Sequence, residues 1–271
     1  MYDNDILMQY SQYRRERARV RDWTYRVYYE SCSHEQNCCL TLTYNPENLP
    51  VGGELSLRDF QLFMKRLRKR LSPQKVRYFG CGEYGKLGSR PHYHVIVFGF
   101  CPDDLVYSHT DDHGIKFYRS KFISDVWGKG FIVVCRDISP STIPYVCKYM
   151  QKFNDCNSKK AKPFILMSRR PGIGFCGFSN DLIDFEHDNM YMRGKRRKIA
   201  RYYLEKAKSI NDDVANALNK RRDGGHLCVD GLKFTRRISA EKFRGSDKAV
   251  DAEIEKYYSN VKKMQDFFKK G

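Results

Sequence analysis

Within the stretch SRPHYHVIVFGF, residues 89–100, His92 and His94 flank a single tyrosine. Residues two apart in a strand project to the same face, so the two imidazoles stand side by side and can chelate one ion, with Tyr93 turned the other way. Two histidines are an incomplete ligand set, and a pair in an aromatic-rich strand is more often ordinary packing. Glu83 can supply a third donor. If residues 84–91 form the loop of a hairpin between strands 76–84 and 92–100, Glu83 falls opposite His92 and Cys81 opposite His94, with paired side chains about 5 Å apart on one face. A slip of one residue would turn Glu83 to the opposite face, so the loop length decides whether the three donors meet.

A second group with chemical potential is YVCKY, residues 145–149. On a helix, Tyr145, Lys148 and Tyr149 share a face. Tyrosines so spaced usually form an amphipathic stripe. Beside a metal on a basic protein they acquire another reading, because a phenol attacks a phosphodiester once a cation draws charge off the phosphate. The product is a phosphotyrosine ester, which a free hydroxyl can reverse. Two tyrosines permit two successive transfers.

A third group, Cys32, His34, Cys38 and Cys39, contains no CxxC pair and no matching second half, which argues against a structural zinc site. The ten cysteines are scattered through strand-like segments and read as reduced thiols.

The balance of 50 Lys and Arg against 32 Asp and Glu gives a formal net charge of +18, which favours a polyanionic partner, with nucleic acid foremost. Aromatic residues make up 14% of the chain, which suits base stacking as well as core packing. No apolar run approaches the ~18 residues of a membrane span, and the first twenty residues lack the apolar centre of a secretory signal. The expectation is a cytosolic protein without membrane contact.

The elements that must position these groups follow from periodicity. Residues 1–37 are polar, with an amphipathic helix possible through YSQYRRERARV. CLTLTY, residues 39–44, alternates like a half-buried strand. From Ser56 the period changes: Ser56 and Asp59 form a capping signature, and Phe60, Phe63, Met64, Leu67 and Leu71 mark the apolar face of a basic helix. Then come the hairpin strands, a polar insertion around CPDDLVYSHTDDHG, a short helix at SKFISDVW, and a strand over 130–138. A helix in SPSTIPYVCKYMQKF follows, with Ser141 as cap and Pro144 in the first turn. This order predicts an α+β fold, a central and largely antiparallel sheet with helices packed on one face. Beyond residue 157, KPFILMSRRPGIGF reads as loop and MYMRGKRRKIARYYLEKAKS as a basic helical stretch. The implied organisation is an N-terminal segment 1–37, a core 38–157 and a basic C-terminal extension 158–271 packed on the core.

Three blocks in order, CLTLTY, CGEYGKLGSRPHYHVIVFGF and YVCKYMQK, resemble the motifs of HUH-type nucleic-acid endonucleases. The resemblance is greatest to the rolling-circle replication initiators of microviruses, the gokushovirus-like single-stranded DNA phages. SRRPGIG is also similar to the phage group. The resemblance covers roughly residues 39–175 and implies the HUH core with its ferredoxin- or RRM-like sheet. It further implies that His92, His94 and Glu83 bind Mg²⁺ or Mn²⁺ and that Tyr145 and Tyr149 are nucleophiles. Lys148 fits the single-tyrosine members, in which the lysine positions the ion or neutralises phosphate charge. Tyr93 is bulkier and more polar than the aliphatic residue often found between the histidines.

The implied activity is nicking and rejoining of single-stranded DNA at a phage origin, in the host cytoplasm, with a host helicase and polymerase as partners. Arg169 and Arg170, and the cluster Lys195, Arg196, Arg197, Lys198 and Arg201, can grip phosphates or simply be solvated. Competing readings are a plasmid relaxase, plasmid initiator or transposase, a non-catalytic single-strand binding module, and a zinc hydrolase using two histidines and Glu83.

Overall fold

A computed structural model describes residues 4–85, 90–136, 138, 142–143, 147, 160–179, 183–185, 188–192, 194–209, 226–229 and 232–235. The chain divides into two compact units, one of residues 17–183 and one of residues 1–16 with 184–271.

The first unit is built on seven strands: β1 (Asn37–Tyr44), β2 (Arg77–Tyr84), β3 (Pro91–Phe98), β4 (Leu105–Thr110), β5 (Lys116–Ser120), β6 (Gly130–Cys135) and β7 (Phe164–Met167). They form one sheet in the order β4-β5-β6-β1-β3-β2-β7, with every neighbouring pair antiparallel. The expected α+β architecture is observed.

Alternation in β1 sets the two faces. Cys38, Leu40, Leu42 and Tyr44 are fully buried on one side, while Cys39, Thr41 and Thr43 are half-buried on the other. The buried side is covered by α2 (Leu57–Leu71) and α3 (Lys121–Trp127), which contribute Phe60, Phe63, Met64, Leu67, Ile123, Val126 and Trp127 to the main core. Removing any one of its buried phenylalanines would cost about 3–5 kcal/mol. The Ser56 side chain caps α2 by accepting from the Asp59 N–H at 3.1 Å, as the sequence signature requires. Asp59 in turn accepts from the Tyr44 hydroxyl at 2.8 Å, which ties the start of α2 to the sheet.

Tyr93 points into this core, opposite the histidines. Its hydroxyl lies 2.8 Å from that of Tyr44, accepts from the Ser56 N–H at 2.8 Å and donates to the Ser56 carbonyl at 3.1 Å. A tyrosine is tolerated at a fully buried position because its one polar atom is satisfied.

Helices lie on both faces, not one. Where the sequence suggested only a possible short helix, α1 runs from Asn4 to Cys32, and its residues from Arg17 onward belong to the first unit. Val27 packs with Phe79, Ile96, Phe98, Ile143, Cys147 and Ile173 in a second core, flanked by Trp23 at 4.9 Å from the Phe79 ring. That core covers the sheet end bearing Phe98 and Phe79 and leaves the opposite end of the same face more open.

Two segments differ from expectation. The polar insertion after β3 forms the β4–β5 hairpin, and FILM, inside the stretch read as loop, forms the edge strand β7 against β2. Four residues between a proline and two arginines are too few to show a period. The loop that follows is fastened to α1. Buried Glu30 pairs with Arg77 and accepts from the Gly174 N–H at 2.7 Å, and Arg77 also donates to the Pro171 carbonyl at 2.8 Å. Gly174 adopts φ +78°, and a Cβ there would meet the Arg26 backbone at 2.6 Å, so the position demands glycine.

In the second unit, part of the stretch read as helical is a hairpin of Asn189–Met192 with Lys195–Lys198, and only Arg201–Lys208 is helix. A further hairpin pairs His226–Val229 with Leu232–Thr235.

Candidate metal and nucleic-acid site

The β2–β3 register places Glu83 opposite His92 and Cys81 opposite His94. This is the pairing that a loop ending at residue 91 requires. The β1–β3 register adds a third layer, with Thr43 opposite His92 and Thr41 opposite His94. Four side chains of β1 and β3 and the carboxylate of β2 therefore share one face.

Each histidine is held from behind. The Thr41 hydroxyl shares a hydrogen bond with His94 Nδ1 at 3.1 Å, and the Thr43 hydroxyl with His92 Nδ1 at 3.3 Å. Occupying Nδ1 in this way fixes the ring plane and directs Nε2 away from β1. His94 Nε2 lies 3.3 Å from Glu83 Oε1, and the two residues are only 7% and 2% exposed. His92 is half-buried, and burial, reinforced by repulsion from His94, holds its imidazole below the ordinary histidine value. A neutral imidazole is the form that binds metals.

The His92 ring leans on the turn of the hairpin. A Cβ at Gly85 would stand 2.7 Å from His92 Nε2, so the absence of a side chain there makes room for the ring. Gly85 donates its N–H to the Arg90 carbonyl at 3.0 Å, closing the loop. Among the described residues, no three His, Cys, Asp or Glu side chains converge into a preformed cation cage. Glu83 and His94 touch, while His92 stands beside them, oriented by Thr43.

Arg90 is a site residue that the sequence reading passed over. Its guanidinium donates to the Tyr44 carbonyl at 3.4 Å, at the end of β1 next to Thr43, and its charge contributes to lowering the His92 pKa. Thr41 and Thr43 were also legible only as strand residues. The signal for them was the alternation of CLTLTY combined with a strand pairing that the sequence does not state.

Of the remaining expected site residues, Tyr145, Lys148 and Tyr149 lie outside the described residues. Their neighbours Ile143 and Cys147 are fully buried in the core on the histidine face of the sheet. The Cys147 thiol is pushed up to about 12 by burial, and its proximity helps raise those of Cys39 and Cys81, which sit on that face. Arg169 and Arg170 are exposed on the loop clamped by Glu30. Lys195, Arg196, Lys198 and Arg201 are exposed and Arg197 half-buried in the other unit. The described cysteines are free thiols, and among the described residues no helix is long and apolar enough to cross a membrane.

Residues 37–154, which carry β1, β2, β3 and the YVCKY stretch, match the family model of the ORF2-type replication-associated proteins. This segment belongs to that family. The chain is 32% identical over 203 residues to replication-associated protein VP4 of Bdellovibrio phage phiMH2K, covering 69% of this chain and 62% of that protein. It is 31% identical over 144 residues to replication-associated protein ORF4 of Chlamydia phage 1, covering 49% of this chain and 35% of the relative. It is 28% identical over 197 residues to replication-associated protein ORF2 of Spiroplasma virus 4, covering 67% and 61%. The chain thus spans less than two thirds of the length of each of these relatives. No solved structure matches it. The expected kinship with replication-associated proteins of small phages is borne out, and the segment matched by the family model contains Glu83, His92, His94 and the three YVCKY residues together.

Proposed function

We propose that this protein acts in phage DNA replication as a metal-dependent strand transferase, nicking and rejoining single-stranded DNA at an origin through a tyrosine ester. The observation that carries this reading is the register that lines up Glu83, His92 and His94 on one face, with Thr41 and Thr43 behind the imidazoles. Two imidazole nitrogens and one carboxylate make a donor set that suits a borderline or hard divalent cation, and Mg²⁺ or Mn²⁺ is the ion assigned here. Bound at His92, His94 and Glu83, the ion supplies Lewis acidity that withdraws charge from the scissile phosphate.

The chain's own groups do the rest. Thr41 and Thr43 hold the imidazoles in one orientation, and the depressed pKa of His92 keeps that ring neutral at physiological pH. Tyr145 or Tyr149 attacks phosphorus through its phenolic oxygen. The bond from phosphorus to the 3′ oxygen breaks, that oxygen takes up a proton and leaves as a primer hydroxyl, and the 5′ phosphate stays on the tyrosine. The second tyrosine repeats the transfer after a round of synthesis, so that strands rejoin. Lys148 neutralises phosphate charge beside the nucleophile. Arg169 and Arg170, with the basic residues 195–198 and Arg201, hold the backbone on either side. The cycle takes place in the host cytoplasm with a host helicase and polymerase.

Cleavage of labelled single-stranded phage circles, with and without chelator, tests this reading. Manganese-dependent linear product that is absent with His94→Ala supports it, whereas tight binding without cleavage under any divalent ion leaves a binding module.

A further inference from the structure

The histidine face carries an aromatic ring that the proposed chemistry does not use. Phe131 of β6 pairs with Thr43, Thr43 with His92, and His92 with Glu83, so these four residues form one row across four strands. Directly paired residues share a face. With strands about 4.8 Å apart, Phe131 stands about 10 Å from His92, on the open side of the row. It is 60% exposed, although the same strand buries Ile132 and Val134 on its other face.

An exposed phenylalanine on an open sheet face is an unfavourable placement in water. Core packing does not account for it, because the ring lies on the face away from the main core. Its neighbour is a cation. Arg90 reaches the Tyr44 carbonyl, and Tyr44 pairs with Gly130, the residue before Phe131. The guanidinium therefore lies between His92 and the start of β6. Among the described residues no carboxylate forms an ion pair with Arg90. A flat apolar ring and an arginine without an acidic partner, side by side, match the two surfaces of a nucleotide, a π-face and a phosphate.

We infer that Phe131 and Arg90 form a nucleotide subsite beside His92, in which an unpaired base stacks on Phe131 while an adjacent phosphate is held by Arg90. This rests on the reading of the protein as a single-stranded DNA enzyme and adds to it the positioning of the strand. The subsite requires the base to be unstacked from its neighbours, so it selects single strands over duplex. It fixes which phosphate comes to the histidines without reading base identity, since every base has a π-face.

The test measures binding and cleavage separately on the full chain. Short single-stranded oligonucleotides carrying a fluorescent adenine analogue at successive positions are titrated in EDTA, so that binding is read without chemistry. The expected result is strong quenching at one position. Phe131→Ala should abolish that quenching and weaken affinity about 5- to 150-fold, while Phe131→Trp retains both. Arg90→Gln should lower the salt dependence of single-strand binding by about 0.7 in slope, the loss of one phosphate contact. Circular dichroism should be unchanged, because Phe131 is exposed. If Phe131→Ala quenches and binds like the parent, the subsite is refuted, whether or not the parent nicks. If quenching depends on Phe131 in a protein that never cleaves, the subsite stands and the nicking reading falls.

Discussion

Glu83 and His92 stand directly opposite one another across the β2–β3 hairpin, and His94 Nε2 lies 3.3 Å from the Glu83 carboxylate. One residue more or less in the connecting loop would break this relationship, because side chains alternate faces along a strand. The proposed metal centre is therefore a consequence of hairpin length as much as of ligand identity.

The threonines of β1 are orienting groups in this account. Thr41→Val and Thr43→Val keep the shape and lose the hydroxyl that each Nδ1 engages. Each should weaken Mn²⁺ binding about 10- to 100-fold, with Thr→Ser restoring most of it. Calorimetric titration of Mn²⁺ into the variants checks this, and unchanged affinity in both valines would remove the threonines from the site.

Gly85→Ala places a methyl group 2.7 Å from His92 Nε2. The ring must move, so metal-dependent activity should fall at least tenfold. Thermal stability should change little, because the position is half-buried and its backbone is unstrained. Parallel melting curves and cleavage rates separate the two effects.

Much of this centre was legible in advance. Period 2 in CLTLTY and HYHVIVF, the capping signature at Ser56, and the distance from Glu83 to His92 fixed the strands, α2 and the hairpin register, because each depends on local pattern and loop length. The β4–β5 hairpin was hidden by polar side chains on an exposed ribbon, and β7 by its brevity. Thr41, Thr43, Arg90 and Phe131 became visible as site neighbours only once β1 was seen between β3 and β6. Those adjacencies join residues from 49 to 88 positions apart, and no period encodes them.

Glu30 is the anchor of the SRRPGIG loop. Glu30→Ala removes the acceptor for Arg77 and for the Gly174 N–H at a 3% exposed position. The loss should amount to about 3–5 kcal/mol of unfolding free energy, as expected for breaking one side of a buried ion pair. Urea denaturation of the variant measures it directly.

Arg169 and Arg170 protrude from that anchored loop. If each contacts one phosphate, Arg169→Ala and Arg170→Ala should each lower the slope of log affinity against log salt by about 0.7 on single strands, equally for all sequences. Filter binding across a salt series reads the slope, and parent-like slopes in the double variant would make the pair a solvated surface.

The central claim is that a tyrosine of YVCKY becomes covalently joined to DNA under the control of the His92, His94 and Glu83 centre. The most direct measurement is mass spectrometry of proteolysed protein after reaction with single-stranded origin DNA and Mn²⁺, comparing the parent with Tyr145→Phe, Tyr149→Phe, the double variant and His92→Ala. The account predicts a nucleotide-bearing peptide containing Tyr145 or Tyr149, absent from the double variant, from His92→Ala and from reactions in EDTA. A nucleotide attached to any other residue, or an adduct that persists without His92 and without metal, would contradict it.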